Sequence, residues 1–172
     1  MRSIPIALCL LAMPVHSETF IDAGISATEV TSRFAGGAET VDRSESGAHL
    51  GVGFRRELQR GDVGVRLELD NVGSDLLLAV RALDYRRHLS ERLALMGFIG
   101  AARFDLATPA YGFYLGGGVQ FKSLLRDWDL GIDLRFAERV ARDNLLPSDP
   151  QGPSPDNFHD VATLSVYFSR GF

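Results

Sequence analysis

Residues 111–122 read YGFYLGGGVQFK and residues 128–136 read WDLGIDLRF. In the second stretch Trp128, Leu130, Ile132, Leu134 and Phe136 alternate with Asp129, Gly131, Asp133 and Arg135. In the first, Phe113, Leu115, Gly117, Val119 and Phe121 alternate with Gly112, Tyr114, Gly116, Gly118, Gln120 and Lys122. Period two marks a strand with one apolar and one polar face; a helix would repeat at three and four, and these stretches do not. Ser123-Leu124-Leu125-Arg126 is a short connection between them, so the two strands form an antiparallel hairpin.

The same period extends outward in both directions. Ala48, Leu50, Val52 and Phe54 alternate with His49, Gly51, Gly53 and Arg55; Val63, Val65, Leu67 and Leu69 alternate with Gly64, Arg66, Glu68 and Asp70. Leu164, Val166 and Phe168 alternate with Ser165, Tyr167 and Ser169, and Ile21 to Ala27 repeats the pattern less cleanly. Residues 92–104 read as a strand apolar or small on both faces. Residues 75–88 read as a strand of unsettled facing, where the consecutive Leu76, Leu77 and Leu78 imply a bulge or a shift of phase. Eight strands are predicted, near 18–29, 47–58, 62–71, 75–88, 92–104, 111–122, 127–137 and 160–172. Residues 59–62, 89–91 and 123–126 are tight turns. The long connections, 30–46 and 138–159, fall at the opposite end of an up-and-down meander; the second holds Pro147, Pro150, Pro153 and Pro155 and reads as a mobile loop.

Alternation alone does not say which face is inside, and a soluble eight-stranded barrel of the lipocalin type would turn its apolar face inward. Three features point the other way. The polar face mixes glycine with charges of both signs, which suits a lumen just wide enough for side chains. Phe54, Phe121 and Trp128 gather near the short turns, as a girdle at a membrane interface does. The apolar faces run for about ten residues, enough to cross a bilayer at a tilt of about 45°. Lipid permits no open sheet edge, so the sheet must close. The fold class expected is all-β, an eight-stranded antiparallel up-and-down transmembrane β-barrel.

The last strand, with Phe168 and a terminal Phe172 on one face, resembles the assembly signal of bacterial outer-membrane barrels. With residues 111–122 and 128–136, the pattern resembles the small OmpA/OmpX-like family of outer-membrane barrels. That resemblance implies both termini in the periplasm, short periplasmic turns and surface-exposed loops. It also implies outer-membrane lipid, lipopolysaccharide and the barrel-assembly machinery as partners, no cofactor, and a monomer. Arg170 departs from the apolar face and would snorkel to the periplasmic headgroups.

Composition agrees with one folded domain: of 172 residues, 45% are hydrophobic and 23% charged, with net charge −4, which excludes a basic nucleic-acid binder. Residues 1–17 have the layout of a secretory signal peptide: Arg2, the apolar stretch Ile4–Pro14, and Val15 and Ser17 at the −3 and −1 positions. Residues 18–172 are then the barrel domain. The single cysteine, Cys9, falls in the leader, so the barrel needs no disulfide.

The candidate chemistry is mostly ionic. Arg55, Glu57, Arg66, Glu68, Asp70, Lys122, Asp129, Asp133 and Arg135 are expected to form an interior charge network that plugs the lumen, since buried ions persist only when paired. A gate or ion path is the competing reading. His49 is expected inside, beside Arg55. The family resemblance also raises lipid A-modifying enzymes with a serine, a histidine and an acid. Here His159, Asp160 and Ser165 are the candidates, with no motif that brings them together, and no catalytic residue is assigned. Arg60-Gly61-Asp62 reads as a periplasmic turn rather than an adhesion tripeptide, and Gly116-Gly117-Gly118 as close strand packing. Asp143, Asp149, Asp156 and Asp160 match no metal-binding spacing, and Arg33, Arg43, Arg139 and Arg142 are available to lipopolysaccharide phosphates. The function expected is a non-enzymatic outer-membrane barrel serving envelope integrity and surface contact, with a channel for small or hydrophobic solutes as the alternative.

Overall fold

The computed structural model describes residues 17–33, 41–105, 109–143 and 157–172. The eight strands are β1 (Ser17–Arg33), β2 (Val41–Leu58), β3 (Gly61–Val72), β4 (Asp75–His88), β5 (Leu93–Phe104), β6 (Tyr111–Leu125), β7 (Trp128–Asp143) and β8 (Asn157–Gly171). They close into a barrel in sequence order, each antiparallel to its neighbours, and β1 pairs with β8 from Phe20↔Gly171 to Arg33↔Phe158. No sheet edge is left facing lipid along the paired stretch, as the apolar wall requires. The leader lies outside the described residues apart from Ser17, which already pairs with Arg56.

The orientation is the one expected. Leu67 and Leu134 are each 46% exposed on the outer wall, whereas Glu68 and Asp133 are each 1% exposed on the inner one. Phe54 and Phe121 stand outward near the turn end and Trp128 is half-buried there. The Arg170 guanidinium lies over the rings of Trp128 and Phe172, with Asp127 at 3.6 Å, so its charge is matched at the rim.

Two expectations about the strands are corrected. The first concerns β4. Leu77 is buried between outward Leu76 and Leu78 with no change of phase. The phase shifts instead at Ala82: β4 carries one extra residue against both β3 and β5, between Arg81 and Leu83. Arg81 faces inward before the bulge, and Asp84 and Arg86 face inward after it. The second concerns length. β1, β2, β7 and β8 all continue past their expected ends on the loop side. Toward the loop end of β1, β3, β5, β7 and β8 the pattern inverts. Val30, Val72, Phe104, Val140 and Val161 are buried inside, while Glu29, Asn71, Arg103 and Glu138 lie toward the outside. The lumen therefore has an apolar layer at the loop end, which the alternation in the membrane-spanning part does not announce.

Candidate functional site: the lumen

Below the apolar layer the barrel interior is ionic. Glu68 sits at its centre. It accepts from Arg81 at both oxygens, 2.8 Å from Nε and 2.6 Å from Nη2, and from the Tyr114 hydroxyl at 2.7 Å. Arg81 also donates to Asp133 at 2.6 Å and lies over the Phe98 ring at 3.5 Å. Arg135 grips Asp70 with two nitrogens at 2.7 and 2.9 Å, meets Asp133 at 3.2 Å, and donates to Ser165. Arg66 lies 3.1 Å from both Asp22 and Asp84 and donates to the Tyr167 hydroxyl at 3.2 Å. Each guanidinium presents a planar fork of donors, so one arginine bridges several strands at once. The side chains of Arg66, Glu68, Asp70, Arg81, Asp133 and Arg135 are all essentially without solvent contact.

Strand chemistry places these groups. Glycines on the lumen side leave room for their neighbours: a side chain at Gly131 would collide with the Tyr167 ring, and one at Gly116 with the Phe98 ring. Gly116 and Gly118 thus fit the expected close packing. Tyr167 uses the space over Gly131 to reach both Arg66 and the His49 ring, whose centroid is 5.1 Å away. His49 is interior as expected but meets Asp70 at 2.9 Å rather than Arg55, because β2 and β3 pair His49 directly with Asp70.

The nine residues expected in one network divide into two groups. Arg66, Glu68, Asp70, Asp133 and Arg135 join the buried cluster. Arg55, Glu57, Lys122 and Asp129 instead line an open cavity of about 430 Å³ at the turn end, with Glu18, Asp62, His88 and Ser123. There Arg55 donates to Glu18 at 2.5 Å, and Asp129 accepts from Gln120 and from the Ser123 amide, both at 2.8 Å. Glu57 is exposed and outside the buried cluster. Sequence reading missed Arg81, Asp84 and Arg86 as members of the cluster because the Ala82 bulge reverses the parity of half of β4. A test of that strand with one residue skipped would have found them.

The histidine candidates separate as well. Ser165 is engaged by Arg135, and His159 bonds instead to Ser32 across β1 and β8, Nδ1 to Oγ 2.9 Å. Asp160 accepts from the Arg139 amide at 2.8 Å. Asp62 of the Arg60-Gly61-Asp62 turn points inward to His88 at 2.9 Å. On the loop side Arg43 is paired with Asp75 at 3.1 Å and Arg139 lies over the Phe158 ring. Asp149 and Asp156 lie outside the described residues.

A closed eight-stranded barrel with an apolar outer wall and an ionic lumen is a transmembrane β-barrel. The chain is similar in fold to the crystal structure of Ail, the attachment invasion locus protein of Yersinia pestis, at TM-score 0.55 and 14% identity, covering 90% of this chain and 98% of that one. It is likewise similar to the outer-membrane protein OprG from Pseudomonas aeruginosa, at TM-score 0.51 and 13% identity, covering 92% and 97%. Both comparisons speak to the fold. No family model and no curated protein sequence matches the chain.

Proposed function

We propose that this protein is a plugged, non-enzymatic barrel of the bacterial outer membrane, exported by residues 1–17, with both termini and the short turns in the periplasm. Its work is then to stabilise the envelope and to present its loops for surface contact, as a monomer in contact with lipid and lipopolysaccharide. Phe168 and Phe172 are the residues the assembly machinery would read. The observation that carries this reading is the lumen: four arginines and five acids occupy its middle, and an apolar layer occupies its loop end. An ion crossing it would have to displace charge pairs already matched at 2.6–3.2 Å.

Planar-bilayer recording of the purified protein tests this. The expected trace has no stable conductance step, and reproducible porin-sized steps would refute the plug. The apolar layer favours one rival reading, passage of small hydrophobic compounds, and uptake by cells with and without the protein separates the two. Lipid A analysis of cells carrying wild-type protein or His159→Ala addresses an enzyme. The expected lipid A is the same in both.

A further inference from the structure

The cavity at the turn end holds charges that its own residues do not match. His88 Nε2 lies 2.9 Å from Asp62 Oδ2 and 2.8 Å from Lys122 Nζ. One ring nitrogen cannot serve both. Protonated, it donates to Asp62 and turns a hydrogen toward the ammonium of Lys122. Unprotonated, it accepts from Lys122 and turns its lone pair toward the carboxylate of Asp62. Among the described residues Lys122 has no carboxylate within salt-bridge distance, and Glu57, on the same cavity wall, has no cation. Lys122 and Glu57, with no oppositely charged side chain at salt-bridge distance among the described residues, thus share a space of about 430 Å³, inside the range of roughly 300–1,000 Å³ typical of ligand pockets. Arg86 and Gln120, both buried, are joined at 2.9 Å, and Gln120 donates to Asp129 of the cavity lining at 2.8 Å.

We propose that this cavity binds a small zwitterion, a molecule with a free carboxylate and a free ammonium such as a short unblocked peptide. The ligand carboxylate pairs with Lys122, which leaves His88 Nε2 to donate to Asp62. The ligand ammonium pairs with Glu57. Arg55 and Asp129 already have partners in Glu18 and in Gln120 with Ser123, so they shape the walls rather than recruit. That the ligand would arrive from the periplasm rests on the orientation proposed above; binding itself does not.

Titration of the full barrel in detergent micelles with trialanine, followed by amide and imidazole NMR, tests the site. The expected result is saturable shifts confined to Glu57, Asp62, His88, Lys122 and their neighbours. Affinity is expected to fall by about tenfold or more, the factor that 1.4 kcal/mol represents, for trialanine acetylated and amidated at its ends, and likewise in Lys122→Met and Glu57→Gln. Glu91→Gln, in the adjacent β4–β5 turn, should bind as wild type. Each variant's unboiled gel mobility reports whether it is folded. Equal binding of the blocked peptide, shifts elsewhere, or no saturable shift in the folded wild-type barrel would each overturn the proposal. Whole-cell labelling of a cysteine placed at Arg60 reports orientation separately, so a wrong orientation and an empty site give different results.

Discussion

Arg81 reaches Glu68 with two nitrogens and Asp133 with a third contact, and Glu68 in turn receives Tyr114 and approaches Arg66 at 3.6 Å. Removing the charge of Glu68 leaves three arginines, Arg66, Arg81 and Arg135, with a matched partner fewer in a site that water does not reach. Glu68→Gln is therefore expected to cost about 3–5 kcal/mol, as breaking one side of a buried pair does. Urea unfolding in lipid vesicles measures it. Adding Arg81→Met removes one stranded charge, so the double variant should be less destabilised than the sum of the two singles by at least about 1 kcal/mol. Strict additivity would mean that the two side chains do not act as a pair. At this scale the sequence was readable for Arg66, Glu68, Asp70, Asp133 and Arg135, which lie where β3 and β7 keep one phase, short of the β7 irregularity between Ala137 and Ala141. It was not readable for the partners. Which arginine meets which acid depends on register between strands far apart in the chain, and alternation within one strand carries no register.

Within an element, the decisive feature is the single extra residue in β4. Ala82 and Leu83 are both exposed in succession, and the inward series runs Leu77, Ala79, Arg81, then Asp84 and Arg86. A one-residue slip in a strand sends every later side chain to the opposite face. Deleting Ala82 would move Asp84 and Arg86 onto the lipid side and strip Arg66 of one of its two 3.1 Å partners, leaving Asp22. A charged residue at the bilayer midplane on a barrel wall costs up to about 2–4 kcal/mol for arginine, and here the buried pair is lost as well. The deletion variant is expected to give no heat-modifiable folded band after refolding, whereas Ala82→Ser, which keeps the bulge, should fold as wild type. A folded deletion variant would show that the bulge only decorates the strand. The bulge also explains why the facing of this strand could not be settled from sequence. Leucines occupy both faces before it, because Leu77 belongs to the apolar layer, and parity reverses after it.

For the whole molecule, polarity follows the solvent outside. Across the middle of the barrel the wall is apolar and the lumen ionic. At the loop end Val30, Val140 and Val161 turn inward while Glu29 and Glu138 turn outward, as in a water-soluble sheet. β1 and β8 pair without interruption through this change, and on β7 an irregularity between Ala137 and Ala141 brings Val140 inward, so the inversion marks where the surroundings pass from lipid to water. The expected strand ends at 29 and 137 stopped short of it, since an inverted pattern does not extend a search for apolar outer faces. The apolar belt also has a height. On β6 it runs from Tyr111 to Phe121, and at about 3.3 Å per residue with a tilt near 45° that is roughly 23 Å. A belt this short is thinner than the roughly 30 Å of an average hydrocarbon core, and each ångström of mismatch costs a fraction of a kcal/mol. Refolding from urea should therefore be faster and more complete in vesicles of ten- to twelve-carbon phosphatidylcholines than in eighteen-carbon ones, read from the folded band on unboiled gels. Equal or greater yield in the thicker bilayer would place the lipid boundary beyond Glu29 and Glu138, inside the water-facing extension, and with it the inverted layer would lose its explanation.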